Sequence, residues 1–142
     1  MVHLRFRLPS KAWLGLGLML PLLQGCGAQG GWNGLFRTDL SGGAKTCVAP
    51  TAAPPDRQAV VAQMQVSNEG GWCGITTTHN GIAFESYLLT VRPDHGRIFA
   101  HRVGGATRID YTPDKGYVGA DHFTVHLIPG DSQVQGAVTV TR

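Results

Sequence analysis

The chain has 142 residues, the size of one ordinary domain. It carries 12 Lys and Arg against 9 Asp and Glu, a formal charge of +3, and Arg5, Arg7 and Lys11 supply that whole excess. With 15% charged residues and 20 Gly the composition excludes a coiled coil or helical bundle, and the neutral remainder excludes a large basic field for nucleic acid.

The basic trio precedes an uncharged apolar run, Ala12 to Leu23, AWLGLGLMLPLL. About a dozen residues suit the core of a signal peptide and are too few to cross a bilayer of roughly 30 Å as a helix. The run ends in Leu22-Leu23-Gln24-Gly25-Cys26. This resembles the lipobox of bacterial lipoproteins, with an apolar residue at −3, a small residue at −1 and an obligatory Cys at +1. The resemblance implies a lipoprotein signal peptide over residues 1–25, cleavage before Cys26, and lipidation of Cys26 by diacylglycerol and an acyl chain such as palmitate. Gly27 at +2 implies sorting to the outer membrane of a bacterial envelope, on the periplasmic or surface side. Gln24 at −2 departs from the usual small residue. An ordinary secretory signal cleaved near Ala28 therefore stays open.

Three Cys are present. With Cys26 assigned to lipid, Cys47 and Cys73 remain as one candidate disulfide in an oxidising compartment, the alternative being two free thiols. Closing that loop of about 27 residues would stabilise the fold by roughly 3.5 kcal/mol on the chain-entropy argument.

Residues 26–56 read as a Gly/Pro-rich tether. Gly30-Gly31, Gly42-Gly43 and the segment APTAAPPD from Ala49 to Asp56 carry no sustained alternation. Trp32, Leu35 and Phe36 stand out within it, either as a docking patch or as side chains that fold back on the domain.

Residues 57–142 read as the folded domain. Apolar residues alternate with polar ones in a period of two at Val60–Val66, Ile109–Tyr111, Phe123–Leu127 and Val138–Val140. Turn residues such as Asn80-Gly81, Gly104-Gly105 and Pro129-Gly130-Asp131 separate them. About seven strands are expected, at 58–66, 72–78, 82–91, 97–102, 107–112, 121–128 and 134–141. That pattern predicts an all-β, antiparallel, Ig-like β-sandwich.

The segment from Tyr111 to Val125, YTPDKGYVGADHFTV, resembles the signature of bacterial Ig-like, cadherin-like repeats. Those repeats share Tyr-x-Pro-x-x-Gly-aromatic-x-Gly-x-Asp-x-Phe. Here the matching positions are Tyr111, Pro113, Gly116, Tyr117, Gly119, Asp121 and Phe123. Upstream, Pro93, His95 and Gly96 match the turn that precedes the motif in such repeats. The resemblance covers about residues 86–142 and implies structural roles for these positions. Tyr111 points inward and needs a partner for its hydroxyl. Asp121 is placed to accept backbone N–H groups of the preceding loop. In some family members such an Asp helps hold Ca²⁺ between repeats. A single copy with no Asp-rich linker departs from that case.

Other constellations lead to no chemistry. His79, His95, His101, His122 and His126 could be weighed as metal ligands, but His122 and His126 on one strand stand about 13 Å apart, and no Cys-x-x-Cys accompanies them. Ser67, Ser86 and Ser132 lack a nucleophile-elbow context. Nothing places Glu69 and Glu85 in one cleft, and Gly70-Gly71 and Gly104-Gly105 are not phosphate loops. The expectation is therefore a non-enzymatic protein without metal or cofactor. It is held to the membrane by lipid and presents its domain to an envelope protein or glycan, with Trp72 and the 68–71 and 79–81 loops as the candidate patch. The alternatives are a structural envelope accessory, or a small metal-binding or enzymatic domain.

Overall fold

The computed structural model describes residues 41–142. Cys26, the expected signal peptide over residues 1–25 and the trio Trp32, Leu35 and Phe36 lie outside the described residues. Nine strands follow in order: β1 (Cys47–Val48), β2 (Thr51–Ala52), β3 (Ala59–Ser67), β4 (Cys73–Thr77), β5 (Ser86–Val91), β6 (Gly96–Val103), β7 (Ala106–Pro113), β8 (Gly119–Ile128) and β9 (Ser132–Thr141). They form a five-stranded sheet, β1-β3-β9-β8-β5, packed on a four-stranded sheet, β2-β4-β7-β6. This is the expected β-sandwich.

All seven expected strands are present, with shifted ends. The largest shift is at β5, which begins at Ser86 rather than at residue 82. Residues 82–85 are a crossing between the sheets. Asn80-Gly81 reverses the chain, with reciprocal backbone bonds between His79 and Ile82. Phe84 then drops into the core and its N–H donates to Thr107 Oγ1 at 3.0 Å. The N–H of Glu85 bonds the Ile128 carbonyl on the opposite sheet at 2.8 Å.

Pairing is not wholly antiparallel. β3 runs parallel to β9 in an unbroken register from Ala59↔Gln133 to Ser67↔Thr141, and β2 runs parallel to β4. Alternation reveals which face a strand buries but not which way its neighbour runs. Parallel neighbours need a long connection, and here β4 to β8 lie between β3 and β9.

Part of the segment read as tether is built into the sandwich. β1 pairs antiparallel with β3, and β2 with the far edge of β4. A disulfide joins Cys47 to Cys73, with Cα atoms 5.3 Å apart. The two short strands and the bridge cover the side of the sandwich where β3 and β4 would otherwise be edges.

The core lies between the sheets. Ala62, Met64 and Val66 of β3, Ile75 of β4, Ile109 and Tyr111 of β7, and Phe123, Val125 and Leu127 of β8 all point inward. Each obeys the period of two read from the sequence. The intervening outward residues on β7 have a second use.

Candidate functional site

The motif residues converge at one end of the sandwich. Asp121 opens the core-facing run of β8, and its carboxylate is fully engaged. Oδ1 accepts the N–H of Asp94 at 3.0 Å and of His122 at 2.8 Å. Oδ2 accepts the N–H of His95 at 3.0 Å and the Tyr111 hydroxyl at 2.9 Å. Two of the four donors therefore come from the β5–β6 turn and none from the loop that precedes Asp121, where the sequence reading expected them. The turn folds over Asp121 because β6 pairs with β7 through Gly96↔Pro113, which carries residues 93–95 to the top of β8.

Tyr111 is completely buried, and its hydroxyl also lies 3.1 Å from the His95 carbonyl. Burial, then the hydrogen bond to the Asp121 carboxylate, push its ionisation far above the ordinary tyrosine value. For Asp121, burial works against the charged form. The Tyr111 hydroxyl and the three backbone N–H groups outweigh it and hold the carboxyl below its ordinary value. Gly96 is required by proximity: a Cβ there would sit 2.5 Å from the Tyr111 ring.

The remaining motif residues lock the adjoining loop. The Tyr117 ring stacks on His95 at 4.0 Å, and its hydroxyl donates to the Ala120 carbonyl at 2.6 Å. Gly116 and Gly119 flank Tyr117 at positive φ, while Pro113 ends β7 and Pro93 opens the turn below. Asn68 adds a clamp that the sequence reading missed. Its side-chain N–H₂ donates to the carbonyls of Asp114 and Tyr117, each at 2.7 Å. The four donors to Asp121 match the acceptor capacity of one carboxylate, so this constellation acts as a staple between loops.

A second polar constellation crosses the outer face of the four-stranded sheet. Arg108 and Asp110 sit at outward positions of β7 yet are only 8% and 4% exposed. Arg108 Nε donates to Asp110 Oδ1 at 2.8 Å and Nη2 to Oδ2 at 3.0 Å. The same Oδ2 lies 3.0 Å from His101 Nε2 on β6. The guanidinium stacks 3.9 Å from the centre of the Trp72 ring, and Phe99 lies against His101 with ring centres 4.6 Å apart. The bridge fits because Gly74 stands opposite Asp110, and a Cβ on Gly74 would lie 2.4 Å from Oδ1. Alternating opposite charges at Arg108 and Asp110, across from a strand Gly, were the available signal for it.

The remaining sequence candidates are scattered. Residues 68–71 and 79–81 lie at opposite ends of β4, so Trp72 and those two loops do not form one patch. Trp72 is instead tied down, its indole N–H donating to the Ser41 carbonyl at 2.9 Å. Glu69 follows β3 and pairs with Lys45, whereas Glu85 is bonded at the Ile128 end of β8. Ser67, Ser86 and Ser132 fall on β3, β5 and β9. His79 pairs with Asp56 and His126 with Asp131. Among the described residues no three His, Cys, Asp or Glu side chains are grouped to hold a metal ion.

The side of the sandwich opposite the disulfide is different in character. There β5 and β6 end the two sheets, and an apolar cleft of about 430 Å³ runs between them, lined by Tyr87, Leu89, Ile98, Phe99, Ala100 and Val125. Phe99 is 63% exposed and Leu88 60%. Comparison with protein-family models and with curated proteins finds no match to this chain.

Proposed function

We propose that this is a lipid-anchored protein of the bacterial envelope that presents one Ig-like, cadherin-like domain as a binding module. The observation that carries the reading is the cysteine pairing. Cys47 and Cys73 are joined, so of three cysteines only Cys26 remains, at the end of the lipobox-like Leu22-Leu23-Gln24-Gly25 run. A disulfide also suits an oxidising compartment. Lipid on Cys26 would hold the domain at the membrane, with Gly27 favouring the outer membrane, and multiple acyl chains suffice for stable anchoring.

The binding role is supported by the exposed apolar side chains of Tyr87, Leu88 and Val91 on β5 and Phe99 on β6. Exposed apolar side chains on two edge strands that border an apolar cleft suit a surface that meets another molecule.

Two measurements test the reading. Labelled palmitate should enter the wild-type protein and be absent from Cys26→Ala; label that persists in the variant sinks the anchor. Affinity capture from crosslinked cells should enrich one envelope protein or glycan. Recovery of the chain alone would favour a structural accessory.

A further inference from the structure

The sandwich has two sides, and among the described residues only one is closed. On the disulfide side, β1 and β2 cover β3 and β4. On the other side β5 is interrupted by a register shift between Leu89 and Val91, a bulge of the kind that blunts an edge. β6 has no such interruption. Its eight residues pair with β7 in continuous register from Gly96↔Pro113 to Val103↔Ala106, and among the described residues its other side has no strand. A regular, eight-residue edge beside an apolar cleft is the geometry to which an extended peptide adds as a further strand.

The charge on this edge selects the occupant. β6 reads GRIFAHRV and β5 SYLLTV, so neither contains an acid. Arg97 and Arg102 are exposed towards the two ends of β6, and the turn before it carries the exposed Arg92 and a single exposed acid, Asp94. The acid beneath, Asp110, is buried and already engaged by Arg108 and His101. A second copy pairing through β6 would bring Arg97 and Arg102 from each chain onto one ribbon with no acid between them. An acidic strand would relieve that repulsion.

We propose that β6 is a docking edge for an extended segment of a partner protein, one that alternates apolar with acidic residues. Side chains on one face of the added strand enter the cleft over Ile98, Ala100 and Leu89. Those on the other face lie beside Phe99, with carboxylates near Arg97. Backbone pairing supplies affinity, and the cleft and the arginines supply selectivity. This deepens the proposed binding role and rests on it.

The test uses the full chain, isotopically labelled and purified in mild detergent, with an eight-residue peptide of alternating valine and aspartate. Valine alternating with lysine is the control. The expected result is a saturable shift of the amide resonances of residues 96–103, with the aspartate peptide bound at least tenfold more tightly. Arg97→Glu combined with Arg102→Glu should reverse the preference, and Arg97→Gln with Arg102→Gln should abolish it. Both pairs alter exposed side chains, and an unchanged melting temperature confirms their fold. The proposal is overturned if neither peptide shifts residues 96–103 or if both bind equally. It is overturned equally if those resonances respond to protein concentration alone, which would make the occupant a second copy. A partner captured from cells that leaves residues 96–103 unperturbed would overturn this edge and leave the binding role standing.

Discussion

Tyr111 and Asp121, ten positions apart on adjoining sheets, are joined by a hydrogen bond of 2.9 Å between a wholly buried hydroxyl and an almost wholly buried carboxylate. The same carboxylate holds the N–H groups of Asp94 and His95. One side chain thus ties both sheets and the β5–β6 turn together. Asp121→Ala would take this acceptor from the N–H groups of Asp94, His95 and His122, while the Tyr111 hydroxyl keeps the His95 carbonyl, at a cost of roughly 3 kcal/mol. Tyr111→Phe removes one donor and no packing volume, at about 1–2 kcal/mol. Thermal melts should rank wild type above Tyr111→Phe above Asp121→Ala. Equal melting of the two variants would contradict this order.

Acid should expose the same staple. The Asp121 carboxyl titrates below its ordinary value of 3.8 in the fold. A depressed carboxyl contributes stability above its unfolded value and loses that contribution as pH falls through its folded value. The stability gap between wild type and Asp121→Asn should therefore be full near neutrality and shrink below that ordinary value. Urea titrations across the acid range measure it, and a gap that stays constant into strong acid refutes the assignment. At alkaline pH the sign reverses for Tyr111. Its raised ionisation stabilises the fold below the ordinary tyrosine value of 10.0, and that contribution falls as pH rises beyond it.

The Arg108–Asp110 bridge predicts a non-additive pair. Arg108→Met would leave a buried carboxylate without its guanidinium, a loss of roughly 3–5 kcal/mol. Converting Asp110→Leu in the same chain should recover most of it, because the bridge is then replaced by apolar contact beneath Trp72. Gly74→Ala should also destabilise, by about 1–3 kcal/mol, since its Cβ would press on Asp110. A double-mutant cycle by denaturant unfolding reads the coupling, and simple additivity would argue against the bridge.

Reduction of Cys47–Cys73 should cost roughly 3.5 kcal/mol on the chain-entropy argument. Its effect should be local at first. Amides of β1 and β2, which pair over only two residues each, should exchange fastest in Cys47→Ser, while β8 and β9 stay protected. Uniform loss of protection across both sheets would show instead that the bridge supports the whole fold.

How far these features were legible depends on the length scale of each. β3, β7, β8 and β9 are long enough for a period of two to register, and Tyr111, Phe123 and Val125 were placed inward on that basis alone. β1 and β2 have two residues each, too few for any period, so their Pro-rich surroundings read as tether. Asp121 was legible as an acceptor, but its donors come from a turn some 26 residues upstream, brought there by β6–β7 pairing. Arg108 and Asp110 read as outward and polar. Their burial comes from the Trp72 ring and from the absence of a side chain on Gly74, both tertiary facts. The Trp72 patch failed for a related reason: a strand separates whatever precedes it from whatever follows it.

The middle strand of the five-stranded sheet is β9, with β3 on one side and β8 on the other. A chain that emerges amino-terminus first has β3 in hand well before residues 132–141 arrive, with β8 completed just ahead of them. Until then the two strands have no common neighbour, and half the sandwich lacks its keystone. The five-stranded sheet is therefore complete only once β9 has taken its place between them.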